Sequence, residues 1–512
     1  MTRPLRESSL ARSAPPASNR NGAADPTEPP RQPPPGPWAL PRAVTRFLAV
    51  SDRPESPYRD LSLWLDTVPG TLEPRPALPG DREVDVAVVG AGFTGLWTAY
   101  HLARLDPSLR VAVLERDIAG YGASGRNGGW ALCEYSIGPM EWARRWSPEA
   151  AIRQMRALHD AVDDIGRVSA AEEIDCHYAK GGWINWARSP LQLERLAAAA
   201  QARHDLGLTE ADLRMVGVDE ARAIGNASEV YGGLFRTHVA AIHPARLVRG
   251  LADVVERLGV MVYENTAVRS LEPGKVVTER GAVRAEVVVR ATEGYTRTLT
   301  GHRRALAPIY SLMVATEPLS EKVWDEIGLA GRPTFSDARN MVIYGQRTAD
   351  GRLAFGGRGA PYLFGSRIDT ATERRRDVHD RIEETLRDLF PAIVDTRITH
   401  RWGGVMGLPR DWTPSVAFDR STGLAQGGGF VGDGVATAKL AGHTLAELIT
   451  GTESERTDLP WVGHTSRNWE PEPLRYLGIN GGLWMASSAD RTEARTGRAS
   501  RRVDLLNRLL QH

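Results

Sequence analysis

The chain has 512 residues, 42% hydrophobic and 25% charged, too long for one compact core and consistent with about two to three globular domains. Its 64 Lys and Arg against 63 Asp and Glu leave a net charge of +1, so no global field exists to recruit nucleic acid or a membrane surface, and neither is expected as a partner. Two cysteines, Cys133 and Cys176, are too few for a disulfide framework or a thiolate cluster; no metal is expected, and a reducing cytoplasmic setting is the simplest one.

Residues 1–40 are rich in Ser, Ala and Pro and lack an apolar run long enough for a signal segment or membrane span, so they are read as a disordered leader. Residues 41–82 form an arm, ordered through an apolar cluster at Tyr58, Leu61, Leu63, Trp64 and Leu65. Residues 84–89 are a near-continuous β-branched run, as in a strand buried on both faces of a parallel sheet. After Gly90 a helical pattern runs through Leu96, Ala99, Tyr100, Leu102 and Ala103, Pro107 stops it, and 111–114 is a second strand. This βαβ unit opens the first part of a dinucleotide-binding domain, 83–150.

A second domain is expected to begin with 151–235, which holds an amphipathic helix over 193–204 and a strand over 182–186. Alternation puts Trp183 on one face of that strand and Trp186 on the other with Ile184. One of the two tryptophans either roofs a cavity or completes the core, and core is the preferred reading. The first domain resumes over 236–305. There a helix runs from Pro244 toward Leu258, Gly259 supplies its C-terminal turn, and strands follow at 260–263, 275–278 and 285–289. Residues 306–400 alternate in short segments (311–316, 341–344, 353–356) and add a charged helix at 372–389, as in an antiparallel sheet that carries a substrate site. Residues 401–452 return to the first domain through a glycine-rich run and an apolar helix over 435–449. The remainder, 453–512, is a C-terminal extension whose stretch 487–502 is basic and expected to be mobile. The fold class is therefore α/β: a discontinuous Rossmann-type domain plus an antiparallel-sheet (α+β) substrate domain.

Gly90-Ala91-Gly92-Phe93-Thr94-Gly95 fits G-x-G-x-x-G between a strand and a helix, where missing side chains let backbone amides approach a pyrophosphate at the helix N-terminus. Glu115, followed by Arg116, lies twenty residues beyond Gly95 at the end of the second strand. Its carboxylate is placed to accept from ribose hydroxyls, each charge-assisted bond contributing roughly 1.5–3 kcal/mol, and it repels a 2′-phosphate. A second loop, Gly120-Tyr121-Gly122-Ala123-Ser124-Gly125-Arg126-Asn127-Gly128-Gly129, is the extra cradle that a flavin needs and NAD does not.

With these motifs the chain resembles the D-amino-acid oxidase and glycine oxidase superfamily, most closely its gamma-glutamylputrescine oxidase-like branch, over residues 58–451. The resemblance implies FAD contacts at Gly122, Ala123, Ser124, Arg126, Asn127, Gly128 and Gly129, and backbone near the adenine at Val268, which is otherwise a plain core valine. It also brings Ala291 and Thr292 close to the cofactor. Gly432, Asp433, Gly434 and Val435 would aim a helix N-terminus at the flavin, the alternative being a glycine-rich surface turn. Relatives that attach flavin covalently use a histidine or cysteine where this chain has Arg126-Asn127 and Val405-Met406-Gly407-Leu408, so non-covalent FAD is expected. Certain relatives also carry an oxygen-activating lysine where this chain has Ala354, which keeps a dehydrogenase open beside an oxidase.

The implied reaction is oxidation of a small primary or secondary amine by hydride transfer to flavin N5, then imine hydrolysis, with oxygen as acceptor and hydrogen peroxide as product. Gamma-glutamylputrescine, polyamine derivatives, aminophosphonates and N-methyl amino acids are the candidate substrates. A dehydrogenase that passes electrons to a quinone or protein carrier, and a flavin-binding protein without turnover, are the rivals. Candidate catalytic or substrate-binding residues are His243, Tyr310, Arg358 and Trp402, with Tyr344 lining the pocket and Asp411 holding the loop before Pro414. Arg358 has a planar fork suited to a carboxylate or phosphonate. The plainer readings are an N-cap neighbour for His243, packing for Tyr310 and Trp402, a surface charge for Arg358 and a solvated face for Glu172-Glu173. Oligomeric state is not legible.

Overall fold

The computed structural model describes residues 56–502, so the leader 1–40, residues 41–55 of the arm and residues 503–512 lie outside the described residues. The apolar run that ends at Gly90 is strand Arg82–Val89, buried almost throughout its second half. It pairs in parallel with Val111–Leu114 on one side and Gly281–Arg290 on the other. Met261–Tyr263 and Leu424–Gly428 extend the parallel sheet outward, and Ser415–Asp419 closes one edge antiparallel. The connection from Arg82–Val89 to Val111–Leu114 is helix Phe93–Leu105, which completes the βαβ unit.

Three further helices pack into this core. Pro244–Arg257 buries Leu247, Val248, Leu251, Ala252, Val254 and Val255, each large side chain contributing about 1.5–3 kcal/mol. Gly434–Thr450 lies so close to Phe93–Leu105 that a Cβ on Gly442 would sit 2.5 Å from the Trp97 Cβ. Helix Pro148–Ala171 joins the same core through Leu158, Ala161, Val162 and Ile165.

The second sheet has eight strands in the order Ile398–Leu408, Ala307–Thr316, Leu353–Gly357, Ile343–Arg347, Thr334–Asp337, Trp183–Ala187, Gly232–Arg236, Leu213–Val216. All neighbours run antiparallel except Thr334–Asp337 with Trp183–Ala187, which run parallel. Helix Arg376–Leu389 covers one face with Val378, Ile382, Leu386 and Leu389. The expected helix over 372–389 is interrupted at Arg374 and Arg375, where the backbone leaves helical geometry between Thr370–Glu373 and Arg376–Leu389.

Packing corrects two of the expected boundaries. Helix Pro148–Ala171, assigned from residue 151 to the substrate domain, buries its apolar stripe against the first sheet's helices. Strand Ile398–Leu408 pairs along its whole length with Ala307–Thr316, so the return to the first sheet comes after Leu408 and not at 401. The C-terminal expectation is also corrected. Residues 487–496 belong to helix Leu474–Thr496, which ends at Gly497 in the left-handed conformation. This helix is held by Asp490, which accepts from the Asn340 backbone N–H (2.7 Å), its Nδ2 (2.8 Å) and the Met341 N–H (2.8 Å). No helix among the described residues is long and apolar enough to cross a membrane.

Candidate functional site

Gly90, at φ 107°, ends the central strand where a Cβ would lie 2.6 Å from the Ala291 carbonyl oxygen. Only glycine allows that conformation and that approach together. Gly92, Phe93 and Thr94 then start the helix along the floor of a cavity, and the Phe93 N–H donates to Ser124 Oγ at 2.9 Å. Gly95 does not reach the cavity; it packs against the Gly90 carbonyl and lets helix and strand meet. At one end stand Glu115 and Arg116. Glu115 accepts from the N–H groups of Ala91 (2.9 Å) and Asp117 (3.1 Å). Burial lifts its carboxyl to about 7 against the pull of these amides. Arg116 pairs with Asp117 at 2.7 Å.

The second glycine loop forms the opposite wall with Gly122, Ala123, Ser124 and Asn127. Asn127 also ties the loop to itself, donating to the Ala123 (3.0 Å) and Ser124 (3.1 Å) carbonyls and accepting from the Gly129 N–H (2.7 Å). Val268, Ala291 and Thr292 line the same cavity, and its far end is closed by Gly432, Gly434, Val435 and Met406. Helix Gly434–Thr450 therefore starts on the cavity, with its first N–H groups not used within the helix. A flavin dinucleotide fits this lining: glycine backbone at Gly90 and Gly92 beside one helix N-terminus, the Glu115 carboxylate at one end and a second helix N-terminus at the other. No cysteine or histidine lines it.

Besides Gly95, four expected cofactor contacts are corrected, since none of them lines the first cavity. Arg126 turns away into the protein, pairing with Glu373 (2.8 Å) and donating to Tyr295 Oη (2.8 Å) and the Gly403 carbonyl (3.3 Å). Gly129, at φ 69°, packs against Gln346 and Ile242 instead. Gly128 and Asp433 face a second cavity of about 450 Å³. One residue not singled out from sequence matters here. Glu293 accepts from the N–H groups of Gly407 (3.2 Å), Gly429 (2.8 Å) and Phe430 (3.2 Å), joining the second sheet to the glycine-rich loop. Burial raises its carboxyl to about 7. Its only sequence signal is its place directly after Ala291-Thr292.

The second cavity shares Ala123, Asn127, Val405, Met406, Gly432 and Val435 with the first. Trp130, Trp183 and Tyr344 give it aromatic walls. The Tyr344 hydroxyl bonds Ser311 Oγ at 2.7 Å. Trp183 thus lines the cavity while Trp186 is buried in the core, a correction to the preferred core reading for the former. Arg358 lines it too and donates to the Val431 carbonyl at 2.7 Å. Asp433 accepts from Ser136 Oγ at 2.6 Å, and burial raises its carboxyl to about 6 although Arg358 opposes the rise.

The other catalytic candidates stay outside both cavities. His243 caps helix Pro244–Arg257, its Nδ1 accepting from the Arg246 N–H (3.2 Å) while Nε2 meets Thr67 Oγ1 (3.0 Å). Tyr310 is core, and its hydroxyl accepts from the Asp369 N–H at 2.8 Å. Trp402 packs on Trp64 and donates to the Arg126 carbonyl at 2.9 Å. Asp411 holds its loop by accepting from His464 (2.7 Å), Ser466 Oγ (2.6 Å) and the Thr413 N–H (3.2 Å). His159, Asp212 and His238 bring ligand-type atoms within 4.8 Å of one another. Arg156 already forks onto Asp212 (2.6 and 3.2 Å) and the two imidazoles stack at 4.2 Å, so the cluster reads as structural.

Helix Leu474–Thr496 reaches the same region. Leu483, Trp484 and Asp490 wall a vestibule that shares Arg339, Ile343 and Arg358 with the second cavity. Glu493 on the helix accepts from Arg195, itself a cavity residue, at 2.9 Å.

A family model described as DAO, FAD dependent oxidoreductase, matches residues 85–448. The chain is 31% identical over 383 residues to the Gamma-glutamylputrescine oxidoreductase of Escherichia coli (strain K12), covering 73% of this chain and 85% of that protein. It is 30% identical over 391 residues to the Probable oxidoreductase OrdL of Rhizobium meliloti (strain 1021), covering 74% and 86%. Among solved structures, the glycine oxidase from Bacillus cereus ATCC 14579 has a TM-score of 0.61 at 18% identity, covering 76% of this chain and 100% of that one. The L-proline dehydrogenase from P. horikoshii also reaches 0.61, at 19% identity and covering 75% and 96%.

Proposed function

The chain belongs to the DAO family of FAD-dependent oxidoreductases, and on that premise we propose that it oxidises a small primary or secondary amine to an imine. The observation that carries this reading is the shared wall: Asn127, Met406 and Gly432 line both the cofactor cavity and the aromatic cavity beside it. A substrate held in the second cavity therefore lies against the end of the first that Gly432 and Val435 close. FAD, when bound, supplies the two-electron acceptor for a hydride equivalent leaving the carbon next to the nitrogen.

The chain's own residues have three tasks. Trp130, Trp183 and Tyr344 exclude water and orient the substrate's carbon chain. Asp433, with a carboxyl raised to about 6, is suited to take the proton that an ammonium substrate must lose before hydride can leave. Arg358 faces Asp433 and restrains that rise. The imine then hydrolyses to a carbonyl compound and an amine or ammonia, with oxygen as terminal acceptor and hydrogen peroxide formed. A second reading, a dehydrogenase using another acceptor, is favoured by the buried Ala354 where relatives carry an oxygen-activating lysine.

Candidate amines mixed anaerobically with the holoenzyme test the proposal. Bleaching of the flavin band by an amine is the expected result, and its rate should fall as pH drops through about 6 and lose that limb in Asp433→Asn. A flavoprotein bleached by no amine across the candidate classes would overturn the reading. Admitting oxygen afterwards separates oxidase from dehydrogenase.

A further inference from the structure

The second glycine loop is held from behind. Five consecutive carbonyls accept from side chains outside it: Gly125 from Ser62 Oγ (3.0 Å), Arg126 from Trp402 Nε1 (2.9 Å), Asn127 from Trp64 Nε1 (2.7 Å), and Gly128 and Gly129 from Gln346 Nε2 (2.8 and 2.9 Å). Trp402 and Gln346 come from the second sheet, whereas Ser62 and Trp64 belong to the arm that precedes the first strand. Trp64 and Trp402 pack edge to face at 6.2 Å and line neither cavity. The loop itself lines both, since Asn127 is shared by the two cavities and Gly128 belongs to the second. In a planar trans peptide the N–H points opposite to the carbonyl. Bonds that draw the Arg126 and Asn127 carbonyls toward the tryptophan pair therefore turn the N–H groups of Asn127 and Gly128 away from it.

The arm is built to act as a unit. Helix Leu63–Thr67 has five residues, too few to persist by itself. Arg59, only 8% exposed, closes its C-terminal end. Nη1 donates to the carbonyls of Leu65 (3.4 Å), Asp66 (2.8 Å) and Val68 (3.3 Å), and Nη2 donates to that of Gly70 (2.6 Å). At the other end one hydroxyl has two duties: Ser62 Oγ accepts from the Leu65 N–H at 3.1 Å, capping the helix, while it donates to Gly125. Leu63, Trp64 and Leu65 are buried, and Thr67 Oγ1 meets His243 Nε2 at 3.0 Å. The bond that caps the helix and the bond that holds the loop thus share one atom.

We propose that the arm is a clamp that sets the second glycine loop before the cofactor binds, with Trp64 and Ser62 as positioning residues for FAD. The inference rests on the cofactor assignment and is independent of which substrate is oxidised. Residues 125–129 include three glycines, whose backbone has the most freedom to lose on ordering. A loop already fixed by the arm spares the cofactor that cost, so affinity for FAD depends on residues that line neither cavity.

The test measures the FAD Kd of the full-length protein by equilibrium dialysis. Trp64→Phe keeps an aromatic ring in place and removes the donor, and it should raise Kd by about tenfold. Ser62→Ala should act in the same direction, whereas Ser62→Thr, which keeps the hydroxyl, should stay within about twofold of the parent. Arg59→Gln alters a side chain that bonds neither the loop nor a cavity residue, and by loosening the helix it should raise Kd several-fold. In the FAD-free protein, hydrogen exchange of residues 125–129 should be faster in Trp64→Phe, with strand Arg82–Val89 as protected as in the parent. A packing role alone for Trp64 predicts a lower Tm with Kd unchanged. A parental Kd in folded Trp64→Phe and Ser62→Ala overturns the proposal, as does a Ser62→Thr protein that binds FAD as weakly as Ser62→Ala. If Trp64→Phe does not fold, the Ser62→Ala and Ser62→Thr pair decides.

Discussion

At Glu115 the fold sets two local forces against each other. Two backbone amides favour the carboxylate and burial disfavours it, and the group stands near 7 as a result. The ribose hydroxyls of a bound dinucleotide would add donors to the charged form. Glu115→Ala should weaken FAD binding by roughly 10- to 100-fold, the range of one charge-assisted hydrogen bond, measured by titrating the apoprotein with FAD. The acid was legible because spacing from a glycine fingerprint is a local property. Arg126, inside the second glycine loop, reads as a cofactor contact from sequence, but its partner Glu373 is 247 residues away and draws it inward. His243 and Trp402 differ in the same way: their positions were visible, whereas the Thr67, Arg246 and Arg126 atoms that occupy their polar groups were not.

Helix Leu474–Thr496 shows why a polar element is hard to read one segment at a time. Its sequence around Ser487 is basic and without a strong apolar stripe, which suggested mobility. Order comes from Asp490 and Glu493, which satisfy N–H groups of Asn340, Met341 and Arg195 on other elements. Asp490→Ala should loosen the vestibule that the helix shares with the second cavity, raising KM for the amine several-fold with kcat less affected, as steady-state kinetics with the amine would reveal. The strands of both sheets were easier, since period-two and β-branched runs report burial directly. The break at Arg374 and Arg375 was not, because the charged pattern continues through it unchanged.

The two sheets are joined across the cofactor cavity by contacts that a dinucleotide would reinforce: Glu293 from the first sheet's side holds Gly407 of the second, and Met406 closes the cavity's far end. A ligand that binds the folded chain alone stabilises it by RT ln(1 + [L]/Kd), about 2.7 kcal/mol at a hundredfold excess over Kd. Stripping FAD should therefore lower Tm and make it depend on added FAD concentration; an apoprotein melting at the holoprotein temperature would contradict that. Sequence alone determined the α/β class, the βαβ fingerprint, the acid at the end of the second strand and the second glycine loop, because each is written in spacing and backbone permission over a few tens of residues. Tertiary structure alone decided which tryptophan lines the second cavity, where helix Pro148–Ala171 and strand Ile398–Leu408 belong, and that Arg203 and Arg236 share Glu134. Those outcomes depend on partners brought together from distant parts of the chain, and charge balance in a buried cavity is a sum over all of them.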